Sequence, residues 1–219
     1  MTERQRAISA FMPAVIFLAG VWIMFAIFKA SYTDMVCLGI RPLRACGLIG
    51  IITSPLAHAD ISHLASNSTV LAVLMVALFY FYRDAAYCVF LLNWLLSGTL
   101  LWIFGRHSVH IGASGIAYGL AFFIVFGGLL RKRRELKVVS LVVVFMYGGM
   151  VWGMMPQGGN ISWDGHLLGA LSGLVLAIAF RKPRVISPVT DSSPFSVSCG
   201  SPEQYQYFYQ DSDPSDRPL

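Results

Sequence analysis

A serine hydroxyl is a weak nucleophile until a base takes its proton, and histidine is the side chain whose pKa suits that task near neutrality. Ser114 and His166 are the residues of this chain placed for such an exchange. Ser114 stands in Gly112-Ala113-Ser114-Gly115, a short G-x-S-G turn where an apolar run begins. At a helix start the free backbone N–H groups and the positive helix end favour a developing oxyanion. His63 and Asn67, four residues apart and so on one helix face, can donate further hydrogen bonds to it. Tyr118, one turn after Ser114, can pack against the base. The acid nearest His166 in sequence is Asp164, two residues back and therefore pointing elsewhere, so a dyad is expected in place of a triad.

Other hydrolytic chemistries find less support. No H-E-x-x-H zinc helix occurs, and no two aspartates lie within apolar runs. His107 and His110 have metal-ligand spacing but no third ligand, and read as solvated loop residues. Neither a metal nor a cofactor is expected.

The elements that must position these residues are membrane spans. Of 219 residues 56% are hydrophobic and 12% charged, against about 25% charged in soluble domains. Uncharged apolar runs at about 11–28, 63–82, 85–104, 115–130, 138–155 and 165–180 predict an all-α membrane protein, a bundle of six transmembrane helices. The first run is long, contains Trp22 and lacks a clear cleavage site, so it reads as a retained anchor. The net charge of +5 reflects topology, not nucleic-acid binding, because the basic residues gather at span ends. With both termini inside, twelve of the 16 Lys and Arg are cytoplasmic, against Lys29, Arg41, Arg44 and Arg106 outside.

Residues 1–10 then form a short cytoplasmic N-terminus, 11–186 the six-span domain, and 187–219 a disordered cytoplasmic tail too polar to build a core. Cys37 and Cys46 share a loop and read as free thiols in preference to a bridge, with Cys88 in a span and Cys199 in the tail.

Ionisable or amide side chains inside hydrocarbon are costly, so those that occur are functional candidates. Counting about 1.5 Å per residue from the basic residue closing each span, Asn67 lies about 24 Å above Arg83, Ser114 about 25 Å above Arg131 and His166 about 22 Å above Arg181. They share one level, several Å below the outer face of a core about 30 Å thick. Two small-xxx-small patterns, Gly115 with Gly119 and Gly169 with Gly173, would let the Ser114 and His166 helices approach closely.

Three segments resemble the signature motifs of the rhomboid intramembrane serine proteases: His58 through Asn67, Gly112 to Gly115 with Tyr118, and Gly165-His166-Leu167-Leu168-Gly169 with Gly173. The resemblance implies a rhomboid-like six-helix bundle opening to the extracytoplasmic side, with Ser114 as nucleophile and His166 as general base. It implies an oxyanion hole of His63, Asn67 and the Ser114 backbone N–H, supported by His58, and a mobile cap at 155–164 containing Gly158 and Gly159. Two positions depart from the family pattern: Arg41 and Arg44 have no neighbouring Trp in the first outer loop, and Gly165 precedes the histidine where alanine is common. The implied activity is an endopeptidase that cleaves transmembrane proteins near the outer face. The alternative is a catalytically inactive relative that binds membrane helices. The expected partners are such substrates and the lipid bilayer, in a bacterial plasma membrane; the sequence leaves the oligomeric state open.

Overall fold

The structure is a computed structural model in which residues 2–31, 34–131, 133–156 and 161–182 are described. The tail with Cys199, and Gly158 and Gly159 of the expected cap, lie outside the described residues. Among the described residues there is no strand. The helices are α1 (Glu3–Ala30), α2 (Gly50–Thr53), α3 (Ile61–Phe81), α4 (Ala86–Phe104), α5 (Ser114–Leu130), α6 (Arg134–Tyr147) and α7 (Trp163–Ala179). All but the single-turn α2 correspond to the six apolar runs.

Four segments are long and apolar enough to cross a membrane: α1, α3, α4 and the stretch Arg134–Met154, which joins α6 to a 3-10 turn. Helices α5 and α7 have 17 residues each, the lower limit for spanning about 30 Å of hydrocarbon. Ser114 and His166 both stand in the first turns of these short helices.

Helix α5 is the axle of the bundle. Ile116, Leu120, Phe123 and Ile124 are buried on several of its faces, as an all-round apolar helix requires when other helices enclose it. Leu71, Leu74 and Leu78 of α3 and Leu176 of α7 complete the same core. Large apolar side chains of α1 and α6 point outward instead, with Phe145 91% exposed. Such faces suit lipid, where exposed hydrocarbon carries no penalty.

Glycines set the distance between α5 and α7. A Cβ added at Gly169 would collide with the carbonyl oxygen of Gly115, and one at Gly173 with that of Gly119. Nearby, the amide of Asn93 in α4 donates to Ile116 O at 3.0 Å, and Ser172 Oγ donates to Asn93 Oδ1 at 2.5 Å. These bonds satisfy polar groups that would otherwise be stranded among apolar neighbours.

The fifth run departs from the expected continuous helix over 138–155. It is α-helical to Tyr147 and becomes a 3-10 turn over Gly148–Met154. Gly148 and Gly149 lower helix propensity at the switch. The segment between α1 and α3 is tethered to α4 without an adjacent Trp-Arg pair: Trp102 Nε1 donates to Arg44 O at 3.0 Å, and Trp94 Nε1 to Ile51 O at 3.2 Å. Cys37, Cys46 and Cys88 are free thiols.

Candidate active site

Ser114 is the first residue of α5, so its N–H belongs to the free donors of the helix start. Its hydroxyl lies 3.0 Å from His166 Nε2. The other ring nitrogen, Nδ1, lies 2.9 Å from Gly153 O. A carbonyl only accepts, so Nδ1 carries a proton and donates to it. In the neutral imidazole Nε2 is then a bare lone pair facing the Ser114 hydroxyl, the tautomer a general base needs.

The 3-10 turn makes that arrangement available. Gly153 O and Met150 O, both in that turn, accept from side chains across the interface. Tyr118 OH donates to Met150 O at 2.9 Å. Its ring stacks on His166, with centroids 4.3 Å apart and planes 10° from parallel. Phenol and imidazole are thus both aimed by one strap of backbone. Sequence reasoning did not name Gly153 or Met150, because a carbonyl has no residue-type signature; the signal open to it was the pair Gly148 and Gly149.

His63 and Asn67 flank the same turn. Gly112 has φ +112°, in the left-handed region that favours glycine, and a Cβ there would stand 2.8 Å from His63 Nε2 and 3.5 Å from Asn67 Nδ2. The glycine keeps open the space on which both side chains converge. Asn67 Nδ2 is buried and makes no hydrogen bond among the described residues, an unspent donor whose burial is otherwise costly. Helix α3 is started by Asp60, whose Oδ1 accepts from His63 N at 2.8 Å. That bond holds the Asp60 carboxyl below its usual range.

His58 lies in the loop before α3, its ring edge-on to His63 with centroids 5.0 Å apart. Both of its ring nitrogens are buried without a partner among the described residues. Burial first, and the neighbouring His63 second, push its pKa down to about 4, so it is neutral around pH 7.

Asp164 does turn away from His166, as its two-residue offset predicts. It is buried and pairs with Arg106, Oδ1 to Nη2 at 3.2 Å. His110 corrects an expectation. It is not a solvated loop residue but is buried, with Nδ1 2.7 Å from Ser162 Oγ and Nε2 3.0 Å from Arg106 O. Its partners are more than fifty residues away or within its own loop, so its spacing from His107 was uninformative. No group of potential metal ligands occurs among the described residues. Gly165 is also explained, because a Cβ there would stand 2.6 Å from Ser162 Oγ, the hydroxyl His110 uses.

A model of the rhomboid domain matches residues 45–183, all the elements that form this site. The chain belongs to the rhomboid family. An uncharacterized protein of Mycobacterium tuberculosis is 37% identical over 197 residues, covering 83% of this chain and 80% of the relative. A second, from Mycobacterium leprae, is 36% identical over 170 residues, with 71% and 67% covered. A protein of Acanthamoeba polyphaga mimivirus, provisionally named a rhomboid protein, is 28% identical over 148 residues, with 63% and 78% covered. This rhomboid is an integral membrane protein, and its paired serine and histidine sit in the first turns of its two 17-residue helices.

Proposed function

We propose that this rhomboid is an intramembrane serine endopeptidase that cleaves transmembrane segments of other membrane proteins. The observation that carries the reading is the 3.0 Å contact between Ser114 Oγ and His166 Nε2, with Nδ1 committed to a carbonyl. His166 takes the Ser114 proton as Oγ attacks the scissile carbonyl carbon. The resulting oxyanion is met by Asn67 Nδ2, His63 and the Ser114 N–H. His166 then protonates the leaving amine, and water, activated by the same base, releases the acyl group.

A narrow cavity of about 30 Å³ beside Ser114 is bordered by Trp94, Leu101, Ile116 and Ser162. The bias of Lys and Arg toward one set of loops supports a topology with both termini in the cytoplasm and this site toward the extracytoplasmic side. A substrate helix must unwind there, since the Ser114 hydroxyl reaches only an exposed carbonyl.

Fluorophosphonate labelling of the purified protein tests the mechanism, together with cleavage of a single-span substrate in liposomes. Wild type should label and cleave. Ser114→Ala and His166→Ala should each reduce cleavage to background, because the two act as a unit. Asn67→Ala should cost roughly 10²–10³ in rate, the usual loss for one oxyanion donor. Wild-type cleavage by Ser114→Ala would rule out a serine mechanism. If wild type neither labels nor cleaves, the protein is a helix-binding relative and not an enzyme.

A further inference from the structure

Ser114 and His166 come from segments 52 residues apart in the chain, and each stands at the start of a helix preceded by a loop. The α5–α7 glycine contacts fix the helix axes but not the loops that lead into them. A buried polar cluster joins those loops, and the proposed reaction leaves it unused.

Its centre is Asp164, 5% exposed, in the first turn of α7. Oδ2 accepts from the Arg106 backbone N–H at 2.9 Å, and Oδ1 from Arg106 Nη2 at 3.2 Å. The same Nη2 also reaches Ile161 O at 3.1 Å. His110, four residues beyond Arg106, lies 2.7 Å from Ser162 Oγ on the α7 side and 3.0 Å from Arg106 O on its own side. Asp164 Oδ2 is 3.7 Å from His110 Nε2, and Ser162 Oγ donates to Asp164 Oδ1 at 3.3 Å. The Arg106 guanidinium is covered by Trp163, 5.0 Å from its ring centroid.

The far end of the same loop is pinned as well. Ile40 and His110 exchange backbone bonds at 2.9 and 3.0 Å, and Gly112 N donates to Ser54 O at 2.9 Å. The stretch 106–112 therefore has three separate anchors, and the only one reaching the His166 helix is the Asp164 cluster. A buried carboxylate with this many donors is costly to assemble and costly to break. A cluster that only stabilised the bundle could sit anywhere; this one joins the two segments that must agree to within about an ångström.

We propose that Asp164, acting with Arg106, His110 and Ser162, clamps the loop leading to Ser114 onto the start of the helix carrying His166, and so is a positioning residue for that pair. Asp164 touches neither Ser114 nor His166 directly; its effect passes through the backbone of 106–113 and of 162–166. The inference rests on the endopeptidase reading for its catalytic consequence, but not for its structural one.

The test compares full-length wild type, Asp164→Asn and Arg106→Gln in detergent micelles, by amide hydrogen exchange and by steady-state cleavage. Arg106→Gln removes an arm that is partly exposed while keeping the backbone bond to Asp164, so it is the variant to use if Asp164→Asn does not fold. Exchange over 105–113 should rise while the core of α3 and α5 stays protected. kcat should fall at least tenfold, toward the roughly 10²-fold that about 1 Å of misplacement costs, with KM unchanged. Asp164→Glu, which restores the charge, should recover part of kcat. Unchanged exchange over 105–113, or a uniform rise across all helices, would overturn the clamp. A fall in kcat/KM carried by KM alone would overturn the positioning role. If wild type itself neither cleaves nor labels, the endopeptidase reading fails, while the exchange measurement still decides whether the clamp orders the loop.

Discussion

Helix α5 has two neighbours that serve the same histidine in opposite ways. Against α7 it is in backbone contact through Gly115 with Gly169 and Gly119 with Gly173, so that no side chain separates the two helices. Against α6 it comes close at its C-terminal end, where Gly128 leaves room for Ser140 and the Leu136 carbonyl. Toward the N-terminal end of α5 the pair opens around a cavity of about 150 Å³, bordered by Tyr118, Phe122, Val143 and Tyr147. The tight side fixes where the imidazole is, and the open side supplies the carbonyl that fixes which way it faces. Position is thus held by close packing, which tolerates no added volume, and orientation by single hydrogen bonds worth about 0.5–1.5 kcal/mol each.

The largest effect that tests this contrast should come from Gly173→Ala. Its Cβ would meet the Gly119 carbonyl oxygen, a backbone atom that cannot swing aside, so α7 must shift relative to α5. Overpacking of this kind costs about 1–3 kcal/mol of stability, and a shift near 1 Å costs roughly 10²-fold in rate. Thermal unfolding in detergent and kcat on a model substrate would both read it. Wild-type kcat with wild-type stability would mean that the glycine contact does not set the spacing of Ser114 and His166.

This tight side was legible in the sequence and the open side was not. Glycines at i and i+4 on two helices, with Gly169 and Gly173 on the face of His166, announce a close helix pair because small residues let backbones approach. Ser114, His166 and Asn67 stand out because polar side chains are scarce in apolar runs. The 3-10 strap is marked only by the pair Gly148 and Gly149, since residues 138–155 are uncharged throughout and a helix and a 3-10 turn differ little in what they bury. His110 was misread for a related reason: its burial depends on Ser162 and on the paired backbone of Ile40, both remote in sequence.

Tyr118→Phe probes the open side with a smaller expected loss. The change deletes the hydroxyl bonded to Met150 O but keeps the ring that stacks on His166. One neutral hydrogen bond of about 0.5–1.5 kcal/mol corresponds to a roughly 2- to 13-fold fall in kcat if all of it serves orientation. Fluorophosphonate labelling should slow in the same proportion, since both reactions need the same imidazole lone pair. A loss of a hundredfold or more would mean that the strap and Tyr118 set position as well as orientation, and the division between the two sides of α5 would fail.

The smallest effect should come from Gly149→Ala, in the 3-10 turn itself. A Cβ there would find nothing within 4 Å, in contrast to the carbonyl it would strike at Gly173. Alanine favours a regular helix over glycine by about 1 kcal/mol, which draws the segment toward continuing α6. If the carbonyls of Met150 and Gly153 are held firmly by Tyr118 and His166, that bias is too small to reclaim them, and activity should stay within about twofold of wild type. The same methyl group would then cost two orders of magnitude on one side of α5 and nothing on the other. A large loss at Gly149→Ala would show instead that the strap sits near balance between 3-10 and α-helical forms. In that case His166 would be oriented only part of the time, and the open side of α5, not the glycine-lined one, would limit the rate.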